Sequence, residues 1–188
     1  MGSPVLTLSS AAQAGLRKDQ IYALTESGEL ERIGRGVFVD PTRIDPAWTS
    51  LAAATALKPA ATLCLTSALV HHGLSDAIAF TTDIALPRGS RHPAGFHHVS
   101  WHSFDPDTFH AGRTVTDQSG LMLAVYSAER TIIDCFRLAH HQGADQAYEA
   151  LRRWVRQPRN QPSELLALAA ASFPRNLPRV RAALEVLL

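Results

Sequence analysis

The apolar positions at the start of the chain predict two short helices followed by a hairpin. A run of small residues that Gly15 ends predicts the first helix. The second helix runs from about Arg17 to Ser27, since Ile21 and Leu24 lie three apart, as one helical face requires. Apolar residues then flank a glycine-rich tip, Gly34-Arg35-Gly36, which is typical of a tight hairpin. Helix, turn, helix and hairpin is the order of a winged helix-turn-helix.

In the rest of the chain, predicted strands follow a first helix, and the pattern then becomes helical. Asp45 can cap, and Pro46 can open, a helix that ends before Pro59. Short strands follow in LCLTS, at 82–87, 96–104 and 121–126, and helices are predicted over about 128–142 and 145–157, from Pro162 and from Asn176.

We therefore expect an α+β protein in three segments. Residues 1–44 would form a partial winged helix-turn-helix, residues 45–59 a linking helix, and residues 60–188 a C-terminal α/β domain with a small sheet and several C-terminal helices.

A winged helix normally begins with a helix that packs across the back of the helical pair. About eight residues precede Ser9, and they include Pro4, so this first helix is expected to be missing or replaced by another part of the chain. Without a replacement, the core around Ile21, Leu24 and Leu30 would be open on one side.

Composition places the chain among globular proteins, with 46% hydrophobic and 19% charged residues. No apolar stretch reaches the roughly 18 residues of a membrane span, and the start lacks the basic and apolar regions of a signal peptide. Cys64 and Cys135 lie among apolar residues, as buried thiols of a reducing compartment do. We expect a cytoplasmic protein.

The positions of the basic residues favour nucleic-acid binding, whereas the net charge does not. The net charge is +1, and residues 1–46 hold five basic and six acidic groups. Recognition helices nevertheless present their N-terminal residues to bases, and wings contact the backbone. The candidate DNA-binding residues are Arg17, Lys18 and Gln20 on the second helix, and Arg32 and Arg35 on the hairpin. A solvated charged face beside an ordinary hairpin is the alternative.

A second candidate basic surface lies further along the chain. Arg88 and Arg91 decorate the loop between two predicted strands, and Arg152, Arg153 and Arg156 follow one side of a helix. An exposed loop and a solvated helix face are the alternatives.

Two patterns that could carry chemistry are weak, so no catalytic residue, metal or cofactor is expected. Adjacent histidines on a strand point to opposite faces, which disfavours a shared metal ion. The histidine clusters are His71-His72, His97-His98 with His102, and His140-His141. Gly89-Ser90 with Asp105 and Asp107 imitates a nucleotidyltransferase site, but Pro106 disfavours the central strand that such a site needs.

The segment GLRKDQIYALTESGELERIGRGVFVD resembles the winged-helix domain of AbiEi-type antitoxins, the antitoxin half of the AbiE (type IV) toxin–antitoxin systems. The motif is Gly28-Glu29-Leu30-x-Arg32-x-x-Arg35-Gly36-Val37-Phe38. Similar segments continue in LTSALVHHGL, in YSAERTIIDCFRLAHHQGADQAYEALRRWVRQ and in the RVRAALEVLL ending, so the resemblance covers most of the chain.

This resemblance implies two activities. The winged helix would bind inverted repeats in the promoter of its own operon and repress it, through Arg17, Lys18, Gln20, Arg32 and Arg35. The C-terminal domain would counteract a nucleotidyltransferase-like toxin, by direct contact or without a stable complex. The alternative is a protein-interaction module that neutralises a toxin without useful DNA binding.

Overall fold

A computed structural model of the protein describes residues 2–139 and 143–187. Its strands are β1 (Val5–Thr7), β2 (Glu31–Gly34), β3 (Val37–Val39), β4 (Thr62–Leu63), β5 (Thr82–Pro87), β6 (Val99–Phe104), β7 (Arg113–Gln118) and β8 (Leu121–Tyr126). Its helices are α1 (Leu8–Gln13), α2 (Lys18–Glu26), α3 (Pro46–Leu57), α4 (Leu65–His71), α5 (Pro106–Phe109), α6 (Ala128–Arg137), α7 (Ala144–Val155), α8 (Pro162–Ser172) and α9 (Leu177–Leu187).

The first forty residues form a small antiparallel sheet with two helices. The strand order is β1-β3-β2, with Val5 opposite Val39 and Arg32 opposite Phe38. Thr7 caps α1, because its hydroxyl accepts a hydrogen bond from the Ser10 amide at 3.0 Å. Strand β1 therefore leads directly into the helical pair.

Both faces of this sheet are covered. All three residues of β3 are buried, and Phe38 joins a core of Ala11, Ile21 and Leu30 beneath α1 and α2. Side chains alternate along a strand, so the other face of β3 meets α3, which packs against all three strands. Helix α3 thus covers the face of the sheet opposite the core of α1 and α2, and that core is completed by Leu6, Leu8, Leu16 and Leu24.

A second sheet has five strands in the order β6-β5-β4-β8-β7. Strand β7 is not predicted by the apolar pattern, because its side chains are mostly exposed or half-buried. The turn to β8 passes through Ser119 and Gly120, both with positive φ, as a tight hairpin requires. That Ser-Gly pair is a turn signal that could have revealed the strand.

The chain divides into two compact units. The first comprises the residues up to Thr62 together with Phe80–Ser103 and Val115–Ala124. The second comprises Leu63–Ala79, Phe104–Thr114 and the described residues from Val125 onward. Within the second unit, α6 packs against α4, α7, α8 and α9.

The expected mixture of helices, small sheets and C-terminal helices is confirmed. The assignment of residues 1–44 to a winged helix stays a prediction, as do the predicted domain limits. No helix among the described residues has the length and apolar character needed to cross a bilayer.

Candidate nucleic-acid interface

Helix α2 begins in an exposed turn that carries three of the predicted DNA-binding residues. Gln20 accepts a hydrogen bond from the Arg17 amide at 2.8 Å, so its side chain closes the first turn of the helix. The Arg17 guanidinium lies 3.1 Å from the Asp19 carboxylate, and both side chains are largely exposed. An exposed pair of this kind contributes little stability, so Arg17 can exchange Asp19 for a phosphate.

Lys18 lies on the same exposed turn and faces an aromatic ring one turn further along. Its Nζ is 5.8 Å from the centroid of the Tyr22 ring, and that ring meets Phe38 edge-on at 6.0 Å. Since Phe38 belongs to β3, Tyr22 joins the exposed face of α2 to the sheet. No motif in the sequence singles out Tyr22.

The tip of the β2–β3 hairpin is held by another segment of the same unit. The Arg35 amide donates a hydrogen bond to the Ala94 carbonyl at 2.9 Å. Gly34 lies so close to Phe96 that a Cβ there would be 2.3 Å from the ring. The loop between β5 and β6 therefore packs directly against the hairpin, a contact over some sixty residues that no local pattern indicates.

This packing brings Arg35 and Arg91, which the sequence assigned to separate surfaces, to one cavity of about 350 Å³. Lys58, which ends α3, and His92 also line it. In the part of the chain that the structure describes, no carboxylate lines the cavity, and no acidic side chain pairs with Arg35, Lys58 or Arg91. We call these four residues the basic cavity.

Aromatic contacts fix one wall of the basic cavity. The His92 ring stacks on Trp101 at 5.7 Å between centroids, and its Nε2 lies 3.1 Å from the Ser103 hydroxyl. Phe96 also contacts Trp101, edge-on, with 5.4 Å between the ring centroids. His92 is thus oriented by two partners on β6.

Arg32 lies on β2 beside a different cavity, of about 330 Å³. Its Nε is 3.4 Å from the Gly34 carbonyl oxygen, a long contact that leaves the guanidinium exposed. Glu31, His97 and His98 line the same cavity. Because Glu31 is its neighbour, Arg32 offers phosphate a weaker field than the basic cavity does.

The remaining basic candidates differ in how many of their charges are already paired. Arg88 begins the β5–β6 loop but does not line the basic cavity. On α7, Arg153 pairs with Asp76 at 2.7 Å and with Glu149 at 3.0 Å, and these hydrogen bonds raise the pKa of its guanidinium. Arg152 also contacts Glu149, at 3.4 Å, whereas Arg156 follows the helix as an exposed side chain.

Neither the nucleotidyltransferase-like aspartate pair nor the described histidines form a catalytic or metal-binding cluster. Asp105 caps the four-residue helix α5 by accepting from the Asp107 amide at 3.1 Å, so neither carboxylate of this pair stands on a central strand. The Nε2 atom of His102 lies 2.9 Å from Oδ1 of Asp83, and the Nε2 atom of His72 lies 2.7 Å from the Tyr126 carbonyl oxygen. No group of three metal-binding side chains occurs among the described residues, and His140 and His141 lie outside them.

A buried cation that sequence reasoning missed organises the second unit. The Arg130 side chain is fully buried, with its Nε 2.8 Å from Asp134 and its guanidinium 4.3 Å from the Tyr126 ring centroid. It also donates to the carbonyls of Thr108 and Ala111, each at 2.6 Å. These contacts tie α6 to the loop around α5, which is a structural role and not a site open to ligand.

Comparison with known proteins gives the fold alone. No protein-family model and no curated protein matches the chain. Among solved structures, the chain is similar to the RV2827C protein from Mycobacterium tuberculosis, with a TM-score of 0.67 and 17% sequence identity. The match covers 97% of this chain and 72% of that one. At this identity, the likeness says how the chain folds and not what it does.

Proposed function

We propose that this protein is a DNA-binding transcriptional regulator that acts as an antitoxin of the AbiEi kind, with no catalytic activity. Its N-terminal residues would be a winged helix in which α2 is the recognition helix and the β2–β3 hairpin is the wing. The antitoxin part of the proposal rests on the sequence resemblance, and the DNA-binding part rests on the site.

One observation carries the DNA-binding proposal: exposed basic side chains lie at the start of α2 and on the hairpin of one small folded unit. The order β1, α1, α2, β2, β3 supports it, because a helical pair and a hairpin are braced by one three-stranded sheet. Helix α3 covers the face of that sheet away from the helical pair, so the sheet is buried on both sides. A braced helix with an exposed N-terminal turn can enter a major groove without unfolding.

The test is binding to roughly 30-base-pair duplexes from upstream of the protein's own gene, measured by fluorescence anisotropy. Lys18→Ala should cost about 1–3 kcal/mol on the preferred duplex if Lys18 reads a base, and it should lower the preference over shuffled DNA. Arg181→Ala, an exposed change of the same charge on α9, is the control. Equal losses in the two variants would contradict the assignment of α2.

Gln20 needs a different substitution, because its carbonyl oxygen serves the helix. Gln20→Ala would remove the cap and any base contact together. Gln20→Glu keeps an acceptor for the Arg17 amide at this third helical position but removes the side-chain amide donor that pairs with adenine. If Gln20 reads a base, this variant should fold with wild-type stability and lose sequence preference. An unchanged preference would leave Gln20 as a cap only.

A second candidate function is supported by two exposed apolar side chains. Ile78 and Phe80, in the segment before β5, are 91% and 92% exposed. Large apolar side chains that are so exposed are typical of a surface that a protein partner covers. Under this alternative the chain would bind its toxin directly. Ile78→Ser with Phe80→Ser should then abolish co-purification with the neighbouring gene product, and retention of the complex would exclude this surface.

A further inference from the structure

We propose that the basic cavity is a phosphate-binding site. Arg35, Lys58 and Arg91, three cationic residues, line one cavity of about 350 Å³, and His92 lines it beside them. Side chains of like charge repel one another across such a space, and an anion between them relieves the repulsion. A phosphate group offers several acceptor oxygens, and guanidinium groups bind such oxygens in pairs.

The walls of the cavity are fixed before any ligand arrives. The amide of Arg35 is bonded to Ala94, and the amide of Lys58 donates to the Ala54 carbonyl at the end of α3 at 2.8 Å. Trp101 and Ser103 hold His92 in place. The backbone positions of the cations are thus set by the fold, which lowers the entropy lost when an anion binds.

The absence of a local counter-charge distinguishes this cavity from the other basic surfaces. Arg17 is paired with Asp19, and Arg153 with Asp76 and Glu149. In residues 2–139 and 143–187, Arg35, Lys58 and Arg91 have no such carboxylate. They are therefore available to an external anion without first breaking an ion pair.

The phosphate could come from the DNA backbone or from a free phosphorylated molecule. The first source rests on the proposed function, since Arg35 sits on the hairpin assigned there to DNA. Contact at this cavity would then fix the hairpin on the duplex without reading sequence. The second source does not depend on DNA binding at all.

The experiment titrates the folded protein with inorganic phosphate and, separately, with duplex DNA at several salt concentrations. Trp101 reports phosphate binding by fluorescence, because it is stacked on His92 whereas Trp48 and Trp154 are buried. Trp101→Phe should remove the signal. A wild-type signal that does not saturate with inorganic phosphate overturns the proposal.

Arg91→Ala is the test variant, and Arg88→Ala is its matched control, with the same charge change in the same loop but outside the cavity. Arg91→Ala should weaken phosphate binding by about tenfold and lower the slope of log K against log salt for DNA by about 1. Arg88→Ala should do neither. Equal effects of the two variants would show that phosphate responds to a diffuse electrostatic field, and they would contradict a binding site at this cavity.

The outcomes separate this site from the proposed function. Loss of phosphate binding in Arg91→Ala with an unchanged DNA slope supports the site and assigns it to a free phosphorylated ligand. Saturable phosphate binding by a protein that binds no DNA supports the site and contradicts the regulator. Sequence-preferring DNA binding without any Arg91-dependent effect supports the regulator and overturns the site.

Discussion

The contact between the hairpin tip and the β5–β6 loop can be tested by two alanine substitutions in that loop. Gly89 and Gly95 both have positive φ, +90° and +81°. An added Cβ at Gly89 meets nothing within 4 Å, whereas one at Gly95 would lie 2.9 Å from the backbone nitrogen of Arg35. The two variants therefore share the backbone strain and differ in the contact with the hairpin.

The magnitudes follow from these two terms. Alanine at a left-handed position costs about 1–2 kcal/mol, and both variants pay this. Gly95→Ala must either keep the loop in place, with overpacking of about 1–3 kcal/mol, or release it and lose the Arg35–Ala94 hydrogen bond, worth about 0.5–1.5 kcal/mol. Because the less costly of these two routes sets the difference, we expect Gly95→Ala to be less stable than Gly89→Ala by about 0.5–1.5 kcal/mol.

Urea unfolding gives the difference in global stability, and hydrogen exchange of the Arg35 amide gives the local effect. If the loop is released locally, the Arg35 amide of Gly95→Ala should exchange about ten times faster for each 1.4 kcal/mol by which the free energy of local opening falls. In Gly89→Ala the same amide should exchange at nearly the wild-type rate. Equal unfolding free energies with equal Arg35 exchange would refute the packing of the loop on the hairpin.

Three further predictions concern residues of the second unit, and the first of them uses Gly120 of the first unit as its control. Gly112→Ala should lower the free energy of unfolding by about 1–3 kcal/mol more than Gly120→Ala in urea, since both have positive φ but only the first places a Cβ 2.6 Å from the Cβ of buried Arg130. Arg130→Met should cost about 3–5 kcal/mol in the same assay, because it leaves a buried carboxylate with one partner fewer. Burial, and then the charge of His72, lowers the pKa of His71 from its ordinary 6.5, so unfolding free energy should fall as pH drops below that value.

Each of these three predictions has an outcome that would contradict it. Equal losses in the two glycine variants would show that Gly112 is not closely packed. A loss under about 1 kcal/mol for Arg130→Met would show that its buried hydrogen bonds contribute nothing net. For His71, the unfolded chain takes up the proton that the folded chain resists, so His71→Gln should flatten the decline in stability. If the fall of unfolding free energy with pH is unchanged in His71→Gln, groups other than His71 cause it.

Much of the local structure could be predicted from spacing and caps. Helix α3 runs from Pro46 to Leu57 as its capping Asp45 indicates, and β5 and β8 have their predicted limits. Helix α2 is shorter than expected by one residue at each end. These elements carry their own signals, since caps and apolar periods act within a few residues.

The rest depends on contacts between distant residues. Strand β1 has three residues and exists because β3 pairs with it more than thirty positions later. The basic cavity joins Arg35, Lys58 and Arg91, which no local period connects. The role of α3 as the cover of the small sheet is likewise tertiary, because its sequence indicates only a helix that is apolar on most sides.

We propose that the helical pair and the hairpin bind DNA with a preference for sequence. The most direct measurement is the affinity of the wild-type chain for duplex DNA from its own upstream region, against shuffled DNA of equal length and composition, at about 0.15 M salt. We expect a preference of about 10³-fold or more that is centred on inverted repeats and is reduced by Lys18→Ala. Equal affinity for the two duplexes would contradict it.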